Sequence, residues 1–331
     1  MNSILTENVF GNESVRDRLE QAVRTDTISH AYIFSGQAGL YKSNTALLFA
    51  QMILCDNENK PCGHCPSCLK VSSGNHPDML VTDAGDNVKS IKVELIRSIR
   101  SQAYIMPSEG KRKIFIIRDA HKMTIAAQNA LLKIFEEPPS SAVFILVTEN
   151  LQKLLPTVKS RGSIINFISP SIEDTKLFLN KKYESKYPKE LISNASSFAG
   201  GAPGEAENIL ENTKVTGFAP GFFKAAVSGD LYTFLQRILS MTENRTSFLQ
   251  YCDSIIKGCS DLIKIKGQSN GNLFHPESRQ ILTEYSRKLT RANLFNIIDI
   301  IHKCRDTAEN TNTSLSVVAM NMLLKCWEEI H

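Results

Sequence analysis

Between residue 30 and about residue 168 the chain alternates short, almost wholly apolar runs with longer stretches in which apolar positions recur at helical spacing. "HAYIFSG" (30–36), "DMLVTDA" (78–84), "KIFIIRD" (113–119), "AVFILVT" (142–148) and "SIINFI" (163–168) read as strands. Their continuous apolar character suits a parallel sheet buried on both faces. The intervening Lys42–Leu54, Val93–Ala103 and Thr124–Glu137 read as helices, the last opened by Thr124 as cap and stopped by Pro138-Pro139. This alternation predicts a three-layer α/β domain.

After Ser169-Pro170 the strand pattern ends. "SIEDTKLFLNKKY" and "PKELISNASSFAGGAPGEAENIL" predict a small helical domain over 169–213, with Gly200-Gly201 breaking it before a last helix. From 214 to 331 the pattern is again helical, through "GFFKAAVSG", "LYTFLQRILSM", "FLQYCDSIIKGCSDLIKI" and two long segments after Pro276, with a loop at Gly267–Gly271. The predicted architecture is an α/β domain (1–168), a small α domain (169–213) and a separate α domain (214–331), without internal repeats.

Composition narrows the function classes. A chain of 331 residues can bury two or three cores. Lys plus Arg exceed Asp plus Glu by only 38 to 34, too even a balance to argue nucleic-acid or membrane binding by bulk charge. No apolar run reaches the roughly 18 residues of a spanning helix. The opening "MNSILTENVFGNESVRDRLE" lacks the basic start and apolar core of a signal peptide. A cytoplasmic protein with no membrane partner is the expectation. Its eight cysteines are then no disulfide framework. Cys252, Cys259, Cys304 and Cys326 lie scattered in helical apolar stretches and are expected to be small buried hydrophobes.

"GQAGLYKS" (36–43) comes within one residue of the phosphate-binding loop G-x-x-x-x-G-K-[ST] and lies between a strand and a helix, as that loop must. Gly36, Gly39, Lys42 and Ser43 are present; Tyr41 stands where the second glycine belongs and should crowd the backbone donors that close on a phosphate. Such sites also need an apolar strand ending in an acid that holds Mg²⁺ through its waters. In "KIFIIRDAHKM" the metal-side position is Arg118, a fixed cation opposed to metal binding, and Asp119 follows one position late.

Cys55, Cys62, Cys65 and Cys68 are spaced C-x₆-C-x₂-C-x₂-C, with Gly63 and Pro66 favouring tight turns between them. Four thiolates suit a closed tetrahedral Zn²⁺ site of structural type. An iron–sulfur cluster can also be held by four cysteines, and His64 could compete as a ligand. Redox chemistry by one C-x₂-C pair fits less well, because neither pair is expected to begin a helix after a strand.

"HAYIFSGQAG", "NHPDM", "IKVELIRSI", "IIRDAHKMTIAAQNALLKIFEEPPSSAVFILVTEN" and "LLPTVKSRG" closely resemble the bacterial clamp-loader proteins of the AAA+ class, with the match best to the delta-prime branch of that family. The likeness covers roughly residues 8–210; over 215–331 it rests on helical character and "NTSLSVVAMNMLL". It implies an AAA+ domain with a zinc module, a helical lid and a C-terminal collar, assembled with gamma/tau and delta subunits into a ring that opens the sliding clamp onto primed DNA. Contact with DNA is expected only as part of that ring. Thr148 occupies the position of the family's first sensor, and Gly204 that of the lid-sensor arginine. "SRG" (160–162) matches the family's "SRC", whose arginine reaches the γ-phosphate of a neighbouring subunit. Arg161 is thereby identified as a finger supplied in trans, and such fingers are worth about 10³–10⁵ in rate. Gly162 departs from the motif, and a glycine there can loosen how Arg161 is presented. Tyr41, Arg118 and Gly204 together predict no ATP hydrolysis by the chain itself. The alternative from the same resemblance is an active ATPase of the gamma/tau kind. An unrelated P-loop kinase leaves the cysteine module and the helical tail unexplained.

Overall fold

The computed structural model describes residues 10–82, 90–183, 186–211, 218–268, 273–275, 278–311 and 313–331. The chain divides into two compact units, one of Met1–Pro170 with Ala202–Gly204, the other of Ser171–Gly201 with Glu205–His331.

In the first unit, helix α1 (Glu13–Arg24) precedes β1 (Ala31–Ser35), α2 (Lys42–Leu54), α3 (Pro66–Ser72), β2 (Met79–Thr82), α4 (Val93–Ala103), β3 (Lys113–Ile117), α5 (Ile125–Glu136), β4 (Ala142–Thr148), the single turn α6 (Pro156–Lys159) and β5 (Ser163–Asn166). The five strands form one parallel sheet in the order β2-β3-β4-β1-β5. Every residue of β1, β3 and β4 is buried, which is why these strands read as apolar runs rather than alternating ones. Phe115 and Phe144 stack across β3 and β4 at 5.0 Å, while Tyr32 meets Phe49 of α2 edge-on at 5.0 Å on the opposite face. β1 lies between β4 and β5, so strand order reverses beside it, the place where open α/β sheets form crevices at their carboxyl ends.

The strands are shorter than their apolar runs. β3 stops at Ile117 because Asp119 turns left-handed at φ 51°, and residues 83–84 of the β2 run lie outside the described residues. Thr124 caps α5 as its sequence predicts, its side chain accepting from the Ala127 N–H at 3.2 Å.

The second unit is helical among its described residues: α7 (Ile172–Lys182), α8 (Lys189–Phe198), most of α9 (Pro203–Glu211), α10 (Phe218–Val227), α11 (Leu231–Leu239), α12 (Arg245–Lys266), α13 (Arg279–Lys288), α14 (Arg291–Asn310) and α15 (Leu315–Ile330). Gly200 and Gly201 both take positive φ and break α8 from α9. Among the described residues three helices follow Pro276 where the sequence pattern predicts two long segments; Pro276 itself lies outside the described residues, as do 269–272 of the expected loop and the 213/214 boundary. Leu289 is extended, and Thr290 with Asn293 forms a reciprocal capping box that starts a new helix. Cys252, Cys259, Cys304 and Cys326 are buried free thiols, as expected.

Candidate functional site

The phosphate-type loop leaves the carboxyl end of β1 and runs into α2. Gly36 is required by close approach, since a Cβ there would lie 2.7 Å from the Phe167 carbonyl. Tyr41 adopts φ 55°, ψ 24°, the left-handed conformation that suits glycine. The tyrosine thus holds a conformation that glycine takes more readily and adds a ring to the loop. Lys42 is buried, and its ammonium donates to the carbonyl of Gln37 in the same loop. Burial pulls its pKa down against the opposing charges of Glu149 and Asp119. Ser43 is half-buried at the second helical position.

Around this loop the sheet gathers the other expected residues. The Gly36 N–H donates to the Thr148 carbonyl at 3.3 Å, a consequence of the Ser35–Thr148 register of β1 and β4. The Thr148 hydroxyl is engaged locally, bonded to the backbone of Asn150 at 3.1 and 3.2 Å. Arg118 follows β3, its N–H donating to Thr82, with its guanidinium Nε buried and lacking a hydrogen-bond partner among the described residues. Asp119 bonds Lys122 at 3.2 Å. His121, which the sequence does not single out, accepts from the Glu149 N–H at 3.4 Å, and burial lowers its pKa. Gly204 belongs to this unit, and its N–H donates to the Gly39 carbonyl at 2.8 Å.

Arg161 stands just past α6, away from that cluster in the chain. Its Nη1 donates to the Thr157 carbonyl at 3.2 Å and its Nη2 to Glu136 Oε1 at 2.9 Å. The Arg161 side chain remains partly exposed, at 36%. The backbone beside it is closely packed rather than loose, because a Cβ on Gly162 would come within 2.9 Å of Ile33.

The four-cysteine module follows α2. The Sγ atoms of Cys55, Cys62, Cys65 and Cys68 lie within 4.8 Å of one another, with 3.9 Å separations for Cys62–Cys68 and Cys65–Cys55. Tetrahedral Zn–S bonds of about 2.3 Å place sulfurs about 3.8 Å apart, so the donor set fits such an ion. Backbone N–H groups of Cys62, Cys65 and Cys68 donate to Sγ of Cys55, Cys62 and Cys65 at 3.5, 3.3 and 3.4 Å, the second layer that stabilises thiolates. The His64 backbone N–H pulls the Cys62 thiol down to about 6, while burial pushes Cys55 and Cys68 up. The His64 ring bonds the Cys62 carbonyl at 2.9 Å. The second C-x₂-C pair opens a helix, with Cys65 as the cap of α3, but a loop from α2 and not a strand leads into it, as expected from the sequence. Gln51, legible in the sequence only as a polar residue within an apolar helix, ties α2 to the module through Cys68 and Ser72 at 2.9 and 3.0 Å.

Asp78 of "NHPDM" is fully buried and accepts from the N–H groups of Ser108, Glu109 and Gly110 at 2.6, 2.8 and 2.8 Å. Burial opposes its charge, but the three donors outweigh burial and hold its pKa below the ordinary value. It therefore anchors the α4–β3 loop and takes no part in the crevice.

Residues 11–171 match the family described as DNA polymerase III, delta subunit. The tau subunit of DNA polymerase III from Bacillus subtilis (strain 168) is 36% identical over 163 residues, 49% of this chain and 28% of that protein. The delta' subunit from the same organism is 36% identical over 151 residues, 45% of each chain. Among solved structures, a DNA polymerase III gamma subunit-related protein from Thermotoga maritima is 19% identical with a TM-score of 0.44, covering 95% of this chain and 100% of that one. The chain thus spans less than half the length of the two Bacillus relatives that it matches.

Proposed function

We propose that this chain, whose α/β unit belongs to the clamp-loader family of the bacterial DNA polymerase III, is a non-hydrolysing subunit of that assembly, of the delta-prime kind. The observation that carries this reading is the closure of the phosphate loop on itself: the Lys42 ammonium, which would meet a nucleotide phosphate, is buried against the Gln37 carbonyl. Tyr41 in the left-handed position, Arg118 in place of a metal-side acid and Gly204 in place of a lid arginine support it independently. A cation at the end of β3 opposes Mg²⁺, and without the metal the charge of a transferring phosphoryl group has no counter-ion there. Gly36, Gly39, Ser43, Asp119 and Thr148 then persist as scaffold of a vestigial site.

In this reading the chemistry is supplied outward. Arg161 stabilises the charge developing on the γ-phosphate bound by a neighbouring gamma/tau subunit. Residues 169–213 act as lid and 214–331 as collar, packing with gamma/tau and delta copies. The assembled ring loads the sliding clamp onto primed DNA in the cytoplasm, meeting DNA through backbone charge rather than base reading. The four cysteines hold zinc as a structural ion; bound there it links α2 to α3 and supplies no step of the reaction.

The deciding experiment has two arms. The chain alone is titrated with ATP and Mg²⁺ in a calorimeter; tight binding with turnover would make it an active ATPase of the gamma/tau kind, a reading that the similarity to tau keeps open. The complex reconstituted with gamma/tau and delta is assayed with Arg161→Ala, which is expected to assemble normally and to lose ATPase and clamp-loading rate. Unchanged rates would remove the finger assignment.

A further inference from the structure

We infer that Glu136 is a positioning residue for Arg161, holding the guanidinium in the pose in which it is offered to the neighbouring phosphate; this rests on the reading of Arg161 as a finger in trans. Glu136 is the last residue of α5, where the exposed carbonyls of the helix end disfavour a carboxylate. Its side chain does not serve that helix end. It reaches across to Arg161, accepting from Nη2 at 2.9 Å although the two are 25 residues apart.

The rest of the Arg161 environment is built to the same end. The backbone is set by the α6 turn, where the Ser160 and Arg161 N–H groups donate to Pro156 and Val158 at 2.9 and 3.2 Å. It is set again by the entry into β5, where Ser163 pairs with Tyr32 and Gly162 lies against Ile33. Nη1 is held by Thr157 at 3.2 Å. These two side-chain bonds engage two of the five N–H donors of a guanidinium, and the remaining edge of the fork is left for a phosphate. An arginine otherwise loses much rotamer freedom when it docks, and a side chain already confined by its own subunit loses less. Glu136 never touches the nucleotide. It acts only through Arg161, by raising the fraction of time the fork occupies its working pose.

The test uses the reconstituted complex and steady-state ATP hydrolysis in the presence of primed DNA and clamp. Glu136→Ala is expected to lower kcat about three- to tenfold, the size of one partly exposed charge-assisted hydrogen bond, with KM for ATP unchanged because the neighbour binds the nucleotide. Glu136→Gln keeps an oxygen acceptor in place and is expected to recover most of that rate. Combined with Arg161→Ala, the Glu136→Ala change should add nothing further. A full rate in Glu136→Ala beside an impaired Arg161→Ala overturns the inference and leaves the finger standing. A further loss in the double variant, or a Glu136→Gln as slow as Glu136→Ala, also overturns it. A full rate in Arg161→Ala removes the finger, and the inference with it.

Discussion

The N–H of Gly204 donates to the carbonyl of Gly39 at 2.8 Å, and a Cβ at position 204 would stand 3.0 Å from that carbonyl and 3.1 Å from the ring of Tyr41. Gly204 is therefore seated against the phosphate-type loop, leaving little room for any side chain. Gly204→Ala should lower stability by about 1 kcal/mol, as small insertions into packed contacts do, read from urea unfolding. Tyr41→Gly in the same chain should relieve part of that loss. A Gly204→Ala protein as stable as the parent would show that the contact is slack.

In the proposed reading Tyr41 in the loop and Arg118 just past β3 each oppose nucleotide binding, so removing one should not suffice. Tyr41→Gly clears the ring and Arg118→Asp supplies the missing acid. Neither change alone is expected to yield measurable Mg²⁺-dependent ATP binding, whereas the pair together should. Calorimetric titration of the three variants decides this, and full binding by either single variant would assign the whole block to one residue.

The cysteine module should carry one zinc ion per chain. Hydrogen bonding lowers the pKa of Cys62 whereas burial raises those of Cys55 and Cys68, so a cation has to displace protons from the buried thiols to bind. Zinc binding is therefore expected to release protons and to weaken as pH falls, which matched titrations in buffers of different ionisation enthalpy would show. Chelation, or Cys68→Ser, should lower the melting temperature and loosen α3, because Gln51 loses its fixed partners at Cys68 and Ser72. Metal analysis that finds iron instead of zinc would reassign the ion without moving the site.

Asp78 makes stability depend on acid. Its folded-state pKa lies below that of the unfolded chain, so its contribution is complete above the ordinary carboxylate range. As pH falls through that range the unfolded chain takes up the proton first and stability drops, until the folded-state value is passed. Asp78→Asn should be less stable at pH 7 by about 2 kcal/mol, the order expected for a buried acceptor of three N–H groups, and flatter in acid. Parallel acid unfolding curves for the two proteins would contradict this.

Much of the fold is legible residue by residue. Strands buried on both faces announce themselves as apolar runs, Thr124 and Pro138 bound a helix by local chemistry, and the cysteine spacing places four thiols within reach of one ion. The misreadings are also local: three helices follow Pro276 because the Thr290–Asn293 capping box restarts a helix inside what reads as one long apolar pattern.

The sequence by itself determined the strands of the sheet, several of the helices and which residue types occupy the loop, the strand end and the "SRG" turn, since those depend on neighbours a few positions away. Only the tertiary structure decided what those side chains meet. Lys42 turns to the carbonyl of Gln37, Gly204 sits on Gly39, Arg161 finds Glu136, and Asp78 gathers three N–H groups from a loop some thirty residues on. Each of these last three partnerships joins segments distant in the chain, and it is the packing of helices on the parallel sheet, with β1 set between β4 and β5, that brings such segments within hydrogen-bond reach. No periodicity along the chain encodes that juxtaposition.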